Sequence, residues 1–358
     1  MRIAQVSPLW ERVPPPGYGG IELVVSQLTD ELVRRGHDVT LFASGDSITI
    51  AKLKSVAPQA LRLDPSVEAP IVYELLQLAQ IGEVANEFDL IHFHTGMITF
   101  PVIDTYKTPV VHTMHGRFGH DISKAYARYS HIPHISISNH QRSSGPEMNY
   151  VGTVYNGVKI EDYPFNPKAA DDPPYLGFLG RLSKEKGPHH AIRIARETGW
   201  NLKMAGKVDV VDREFFDEEV APHIDGKQIQ YLGEVTHEQK VDLLSKASLT
   251  LFPITWPEPF GLVMIESMCV GTPVIATNFG SVPEVVADKR TGIICPTVED
   301  IKAAIPEALK LSREECRKYV EETFSVPKMV DGYEAAYQKL LEQHKSANGI
   351  SSAPVSAV

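Results

Sequence analysis

Short apolar runs alternate with segments whose apolar residues recur every three or four positions, and this rhythm holds over most of the chain. Residues 2–6 read as a short buried strand. Residues 21–35 follow as a helix, with Ile21, Val24, Val25, Leu28 and Leu32 on one face and Gly36 as its stop. Residues 37–42 give the next strand, so the chain opens with a β-α-β unit. A helix over 67–87 and strands over 90–93, 110–113 and 135–138 extend the series, which ends near 151–157. The alternation restarts at 175–179, with strands predicted over 201–205, 228–232, 248–252, 273–276 and 292–295. Helices are predicted near 187–198, 237–246, 261–269 and 298–309, and a last one over 333–344. Strands and helices alternating at this length imply parallel sheets covered on both faces. Between the two series, residues 161–174 carry Pro164, Pro167, Pro173 and Pro174, the composition of a linker.

The expected fold is therefore α/β, with two Rossmann-like, doubly wound domains facing across an interdomain cleft. The first is placed over 1–157 and the second over 158–323. A helical stretch at 324–345 is expected to return to the first domain, and 346–358 to form a frayed tail. Ligands of such sheets bind outside the carboxyl ends of the strands, so the loops there are where chemistry is sought.

Composition narrows the partners. The 358 residues suit two domains of roughly 150–200 residues each, and 43% hydrophobic with 22% charged residues is the balance of a globular protein. A formal charge of −10 argues against a general polyanion binder, and so against nucleic acid. No apolar stretch approaches the roughly 20 residues that span a bilayer, and no concentrated Lys/Arg face argues for more than weak peripheral membrane contact. The chain enters a strand at once with no signal peptide, and Cys269, Cys295 and Cys316 lack metal-ligand spacing. A reducing cytoplasm is the expected compartment.

The stretch 257–266 carries the most chemistry. Glu258 falls in a strand-to-helix loop and Glu266 more than a turn into the helix, with Phe260, Gly261 and Leu262 between them. A helix start offers free N–H groups and about half a positive charge, suited to an anion. Carboxylates on either side can accept from hydroxyls, so a phosphorylated sugar is the implied ligand. Both glutamates also fit plain helix-dipole complementation, Glu266 less well because that effect fades beyond the first turn. Gly180 ends a strand, and Arg181 and Lys186 flank the turn after it, where they read as phosphate-binding cations or as solvated loop charges. His115 follows a strand in the same way, while His112 reads as structural. Gly19 and Gly20 precede the first helix and allow close backbone approach. No catalytic metal is expected: His92 with His94, and His112 with His115, are pairs without a carboxylate cluster. The dinucleotide fingerprint, the P-loop and a Ser-His-Asp pattern are absent.

Taken in order, these blocks resemble a family 4 retaining glycosyltransferase of the GT-B fold. They are Gly19-Gly20 before a helix ending Arg35-Gly36-His37, then Asn156-Gly157-Val158, and Gly180-Arg181-Leu182 with Lys186-Gly187. The Glu258/Glu266 segment, Gly271-Thr272-Pro273-Val274 and Pro283-Glu284-Val285-Val286 complete the set. The resemblance spans the chain to about residue 345. It implies that Arg181 and Lys186 grip the pyrophosphate of a nucleotide diphospho-sugar and that Glu266 accepts from the ribose hydroxyls. Glu258 is implied to lie against the transferred sugar and His115 to reach that sugar across the cleft. Backbone N–H groups near Phe260, Gly261 and Leu262 are implied to hold donor oxygens, and Asn156 and Gly157 lie at the hinge. Family usage makes UDP-glucose the leading donor, a carbohydrate or lipid-linked molecule the acceptor, and no cofactor is implied. Three positions depart from the pattern: Ser267-Met268-Cys269, Gly280-Ser281 in place of paired glycines, and Lys159 after Asn-Gly-Val. The implied activity is a retaining hexosyltransferase in polysaccharide or glycolipid synthesis. A nucleotide-sugar epimerase on the same architecture and a non-catalytic nucleotide-sugar module are the alternatives.

Overall fold

A computed structural model describes residues 1–17, 19–169 and 172–347, so the expected frayed tail lies, from residue 348 on, outside the described residues. The first sheet has seven parallel strands: β1 (Arg2–Val6), β2 (Asp38–Phe42), β3 (Lys52–Lys54), β4 (Leu90–Phe93), β5 (Val110–Thr113), β6 (Pro133–Ser136) and β7 (Asn149–Thr153). Their order is β3-β2-β1-β4-β5-β6-β7. The second has six: β8 (Tyr175–Leu179), β9 (Asn201–Ala205), β10 (Ile229–Tyr231), β11 (Leu249–Phe252), β12 (Val274–Thr277) and β13 (Gly292–Cys295). They run β10-β9-β8-β11-β12-β13, again all parallel. Both are doubly wound sheets of the GT-B type. Every residue of β4, β5, β11 and β12 is buried, which is why these strands read as apolar runs broken only by His92, His112, Thr113, Thr250 and Thr277.

Helices α1 (Gly20–Arg34), α2 (Pro70–Val84), α3 (Phe100–Ile103), α4 (His120–Arg128) and α5 (Asn139–Ser144) connect the first sheet. The second uses α6 (Pro188–Thr198), α7 (Arg213–Phe215), α8 (His237–Lys246), α9 (Leu262–Cys269), α10 (Val282–Val285) and α11 (Ile301–Ala308). Two more close the chain, α12 (Arg313–Thr323) and α13 (Val326–Ala347). Helix α13 packs Val330, Tyr333 and Tyr337 into the same core as Ile3 of β1 and Val24 and Leu28 of α1. The chain passes between the sheets twice, at 156–158 and 324–326, and the two passes run together: Val158 N–H donates to Phe324 O, and Val326 N–H to Val158 O. A Cβ on Gly157 would stand 2.9 Å from Ser325 O, so only glycine lets the passes lie this close.

Some elements differ from their sequence-based bounds for physical reasons. Strand β6 ends at Ser136, not 138, because Ser138 caps α5 by accepting from Gln141 N–H. Strand β3 is a three-residue polar edge, and β7 carries no apolar run, so neither has a pattern to find. Helix α12 buries only Cys316 and Val320 among charged neighbours, too narrow a stripe to stand out. Residues of the proline-rich stretch dock on the second domain: Asn166 N–H donates to Val270 O, and Arg313 and Arg317 donate to Asn166 O and Tyr163 O.

Candidate active site

In each sheet the strand order reverses at one place, between β1 and β4 and between β8 and β11, and the loops leaving those strand ends face one another. They enclose a cleft of about 670 Å3. Gly19, Gly20, His115 and Asn156 line it from the first domain. Gly180, Arg181, Lys186, Glu258, Phe260, Gly261, Leu262 and Glu266 line it from the second. Gly157 alone of the residues singled out stands behind it, at the paired chain passes.

The second-domain wall is built from charges in pairs. Glu258 lies in the loop between β11 and α9, and that loop is pinned from behind. Ser281 donates its N–H to Glu258 O at 2.9 Å and its hydroxyl to Phe260 O at 2.8 Å. Gly280 has φ +60°, and a Cβ there would overlap the Glu258 backbone. The serine in place of a second glycine is therefore a brace for the loop. From the turn after β8, Lys186 donates to Glu258 Oε2, with its ammonium 4.9 Å from the Trp256 ring centroid. Both side chains are largely buried, 20% and 9% exposed. In the second turn of α9, Glu266 Oε1 accepts from Tyr163 Oη at 2.7 Å and from Lys240 of α8. Burial, with the Glu266 charge beside it, pushes the Tyr163 phenol well above its ordinary range, so it remains a donor. Glu266 Oε2 has no hydrogen bond among the described residues. Arg181 donates to Glu185 and lies 3.5 Å from Asp212 Oδ2 and 3.7 Å from Asp209 Oδ2. Neither Arg181 nor Lys186 is a solvated loop charge: each already faces a carboxylate, and an arriving phosphate must share it.

The first-domain wall carries one ion pair, Glu11 with Arg62, and neutral groups besides. Helix α1 starts at Gly20 behind Gly19, and α9 starts at Leu262 behind Gly261; neither helix has a side-chain cap. A Cβ on Gly20 would stand 3.3 Å from Leu262 Cδ1, so the two helix starts meet across the cleft and both present free N–H groups. His115, two residues past β5, sets its Nε2 2.9 Å from His94 Nδ1. Burial lowers its pKa to about 4, so the ring is uncharged at neutral pH. His112 sits within β5 with Nε2 3.2 Å from Thr99 Oγ1, away from the cleft.

Several cleft residues were not foreseen. Glu22, in the first turn of α1, is 5% exposed, and burial raises its pKa to about 7 against the opposing pull of its own backbone N–H, with Glu11 adding to the rise. Its acidic character at a helix start was visible but indistinguishable from dipole complementation. Tyr163 and Lys240 carried no signal. Glu284 of α10 also joins the domains: it accepts from the N–H groups of Asn139 and His140, both at 2.7 Å, and from Tyr155 Oη at 2.9 Å. Ser138 Oγ adds a second tie, donating to Pro259 O at 2.6 Å.

Comparison with known proteins returns glycosyltransferases. Residues 18–162 match the family described as Glycosyltransferase Family 4, and residues 159–325 match Glycosyl transferases group 1. Glycogen synthase of Mycobacterium tuberculosis is 26% identical over 86% of this chain and 86% of its own. A solved glycosyltransferase involved in avilamycin A biosynthesis is 25% identical, with a TM-score of 0.71 over 95% of this chain and 98% of its own. HepE of Anabaena, solved in complex with UDP and glucose, has a TM-score of 0.74 at 17% identity, over 94% and 99% of the two chains.

Proposed function

This chain belongs to the group 1, family 4 glycosyltransferases, whose two sequence models divide it between them, and we propose that it moves a hexose from a nucleotide diphospho-sugar to an acceptor hydroxyl with retention at the anomeric carbon. The observation that carries this is the joint placement of Arg181, Lys186, the α9 start and Glu266 on one cleft. Its volume falls within the range of roughly 300–1,000 Å3 usual for small-molecule sites.

In this reading the diphosphate lies along the second-domain wall. The N–H groups at the start of α9 face its oxygens, and Arg181 and Lys186 turn part of their hydrogen bonding from their carboxylates to the phosphates. Glu266 Oε2, with no partner of its own, accepts from the ribose hydroxyls, while Tyr163 and Lys240 hold the carboxylate still. Glu258 and His115 bracket the transferred sugar from opposite sides. The bond between the anomeric carbon and the phosphate oxygen breaks as the acceptor oxygen bonds to the same face, and the departing phosphate takes the acceptor's proton. The protein's share is alignment and stabilisation of the charge that develops on the diphosphate. No side-chain base is required on that face.

UDP-glucose is the proposed donor, supported by family usage and by the UDP and glucose found in the Anabaena protein of the same fold. The acceptor, a carbohydrate or a lipid-linked intermediate, would enter beside α1, in polysaccharide or glycolipid synthesis. Among the described residues, no helix is long and apolar enough to cross a membrane.

A thermal-shift panel of nucleotides and nucleotide sugars tests the donor, because stabilisation follows affinity; a ligand at 100 times its Kd adds about 2.7 kcal/mol. UDP-glucose should raise the midpoint most. A larger shift with another nucleotide sugar replaces it as donor, and an isomer formed without acceptor points to an epimerase. Anomeric configuration of the product, read by proton NMR, tests the mechanism, and inversion refutes it.

A further inference from the structure

Behind His115 the first domain buries a single file of polar side chains. His115 Nε2 is 2.9 Å from His94 Nδ1, and His94 Nε2 is 2.9 Å from Gln5 Oε1. Gln5 Nε2 donates to Tyr337 Oη at 3.0 Å. Tyr337 Oη is 2.6 Å from His92 Nδ1, and His92 Nε2 is 2.8 Å from Thr113 Oγ1. Gln5, His92, His94, Thr113 and Tyr337 are all buried. Gln5 comes from β1, the histidines from β4 and its end, and Tyr337 from α13.

The file has a direction. Burial pushes His92 and His94 well below the usual imidazole range, and His115 to about 4, so each ring carries one proton. In a neutral imidazole one nitrogen donates and the other accepts. Gln5 Oε1 can only accept, so His94 Nε2 carries its proton and His94 Nδ1 is bare. That bare nitrogen must accept from His115 Nε2–H, which leaves His115 Nδ1 bare in turn. On the other side, Gln5 donates to Tyr337, the Tyr337 hydroxyl donates to His92 Nδ1, and His92 Nε2–H donates to Thr113. One buried amide thus sets three rings to the same tautomer. Reversing His94 or His115 would set two donors, or two bare acceptors, against each other, and reversing His92 would leave the Tyr337 O–H without an acceptor among the described residues; in a buried setting each unmade hydrogen bond is costly. His115 Nδ1 has no partner among the described residues, and its ring lines the cleft.

We propose that Gln5, His94 and Tyr337 are positioning residues that hold His115 as the Nε2–H tautomer, so that it offers the cleft a lone pair on Nδ1 and accepts a hydrogen bond from a hydroxyl of the transferred sugar. The sugar's identity rests on the glycosyl-transfer reading; the tautomer does not. His115 is then a reader that selects for a hydroxyl donor, and the far end of its support is the last helix of the chain. Loss of Tyr337 is felt at His115 through two intervening side chains, Gln5 and His94.

Long-range proton–nitrogen correlation spectra of the full-length protein at neutral pH report imidazole tautomers directly. His92, His94 and His115 should all appear as Nε2–H. A His115 found as Nδ1–H, or as imidazolium, overturns the proposal. In Tyr337→Phe the amide of Gln5 loses its acceptor, and His115 should become a mixture of both tautomers. Its kcat should fall roughly two- to tenfold, the worth of one neutral hydrogen bond, with the donor KM changed less than that. A folded Tyr337→Phe protein with His115 unchanged overturns the coupling, and the wild-type spectrum decides the tautomer even where the variant does not fold. Correct tautomers in a protein that transfers no sugar would leave the positioning intact and refute the proposed reaction instead.

Discussion

The two walls of the cleft solve the problem of buried polarity in opposite ways. The second domain buries ions in pairs, Lys186 with Glu258 and Lys240 with Glu266, and sets Arg181 among Glu185, Asp209 and Asp212. The first domain, beside one ion pair of Glu11 with Arg62, buries neutral groups in a file, His115 through Gln5 to Tyr337, each satisfied by the next. Paired ions can be re-shared when a charged ligand arrives, because the attraction to phosphate replaces part of the attraction to carboxylate. A neutral file offers no such exchange; what it provides is a fixed direction for one hydrogen bond. Under the proposed reaction, the wall richer in ion pairs would meet the diphosphate and the wall holding the neutral file would meet the sugar hydroxyls.

Three substitutions probe that contrast. Lys186→Ala should have the largest effect, because it removes a proposed phosphate ligand and leaves Glu258 buried without its partner. Breaking a buried pair costs about 3–5 kcal/mol of stability, and losing a charge-assisted bond to the diphosphate, worth about 1.5–3 kcal/mol, should lower kcat/KM for sugar transfer by about 10- to 100-fold. Initial rates, with circular dichroism to show that the fold persists, check this; a loss under threefold would remove Lys186 from the site. Glu266→Gln comes next. The amide keeps the size and an acceptor but loses the charge that Lys240 and Tyr163 hold, and about tenfold should be lost, mostly in the donor KM, in line with the 1.5–3 kcal/mol of a charge-assisted hydrogen bond. A change in kcat alone would place Glu266 at the reacting centre, not at the ribose.

Glu22→Gln should change activity least, and its effect appears in stability. Glu22 lies at about 7 in the folded protein against an ordinary 4.5, raised first by burial. The folded state thus holds this proton more tightly than the unfolded chain. The resulting stabilisation is complete below about 4.5 and is lost as pH rises through about 7. The variant should gain on the wild type across that window by about 3 kcal/mol, measured by urea unfolding from pH 4.5 to 8. A pH-independent difference would mean that Glu22 ionises freely and that the first-domain wall is less closed than its geometry shows.

Much of this site could be read from the chain because its parts are local. The separation of Glu258 from Glu266 puts one on a loop and one inside a helix wherever the chain folds so, and Gly19-Gly20 and Gly180-Arg181 mark strand ends by their immediate neighbours. Repeating apolar runs pointed to two parallel sheets, since a strand buried on both faces is mostly apolar. Three short or charged elements, β3, β7 and α12, escaped because they bury too little to leave a pattern.

Which residues face one another was decided only by the tertiary structure. Tyr163 reads as part of a proline-rich linker, yet it is buried and holds Glu266 across a separation of 103 residues. Lys240 looks like any helix-surface lysine, and Gln5 like a polar residue misplaced in a strand until Tyr337, 332 residues away, supplies its partner. Periodicity and spacing are properties of neighbours along the chain, so the sequence determined the elements and the loops that bear the chemistry. Charge pairing and tautomer direction depend on distances across packed domains, and those exist only once the two sheets and the returning helix have come together.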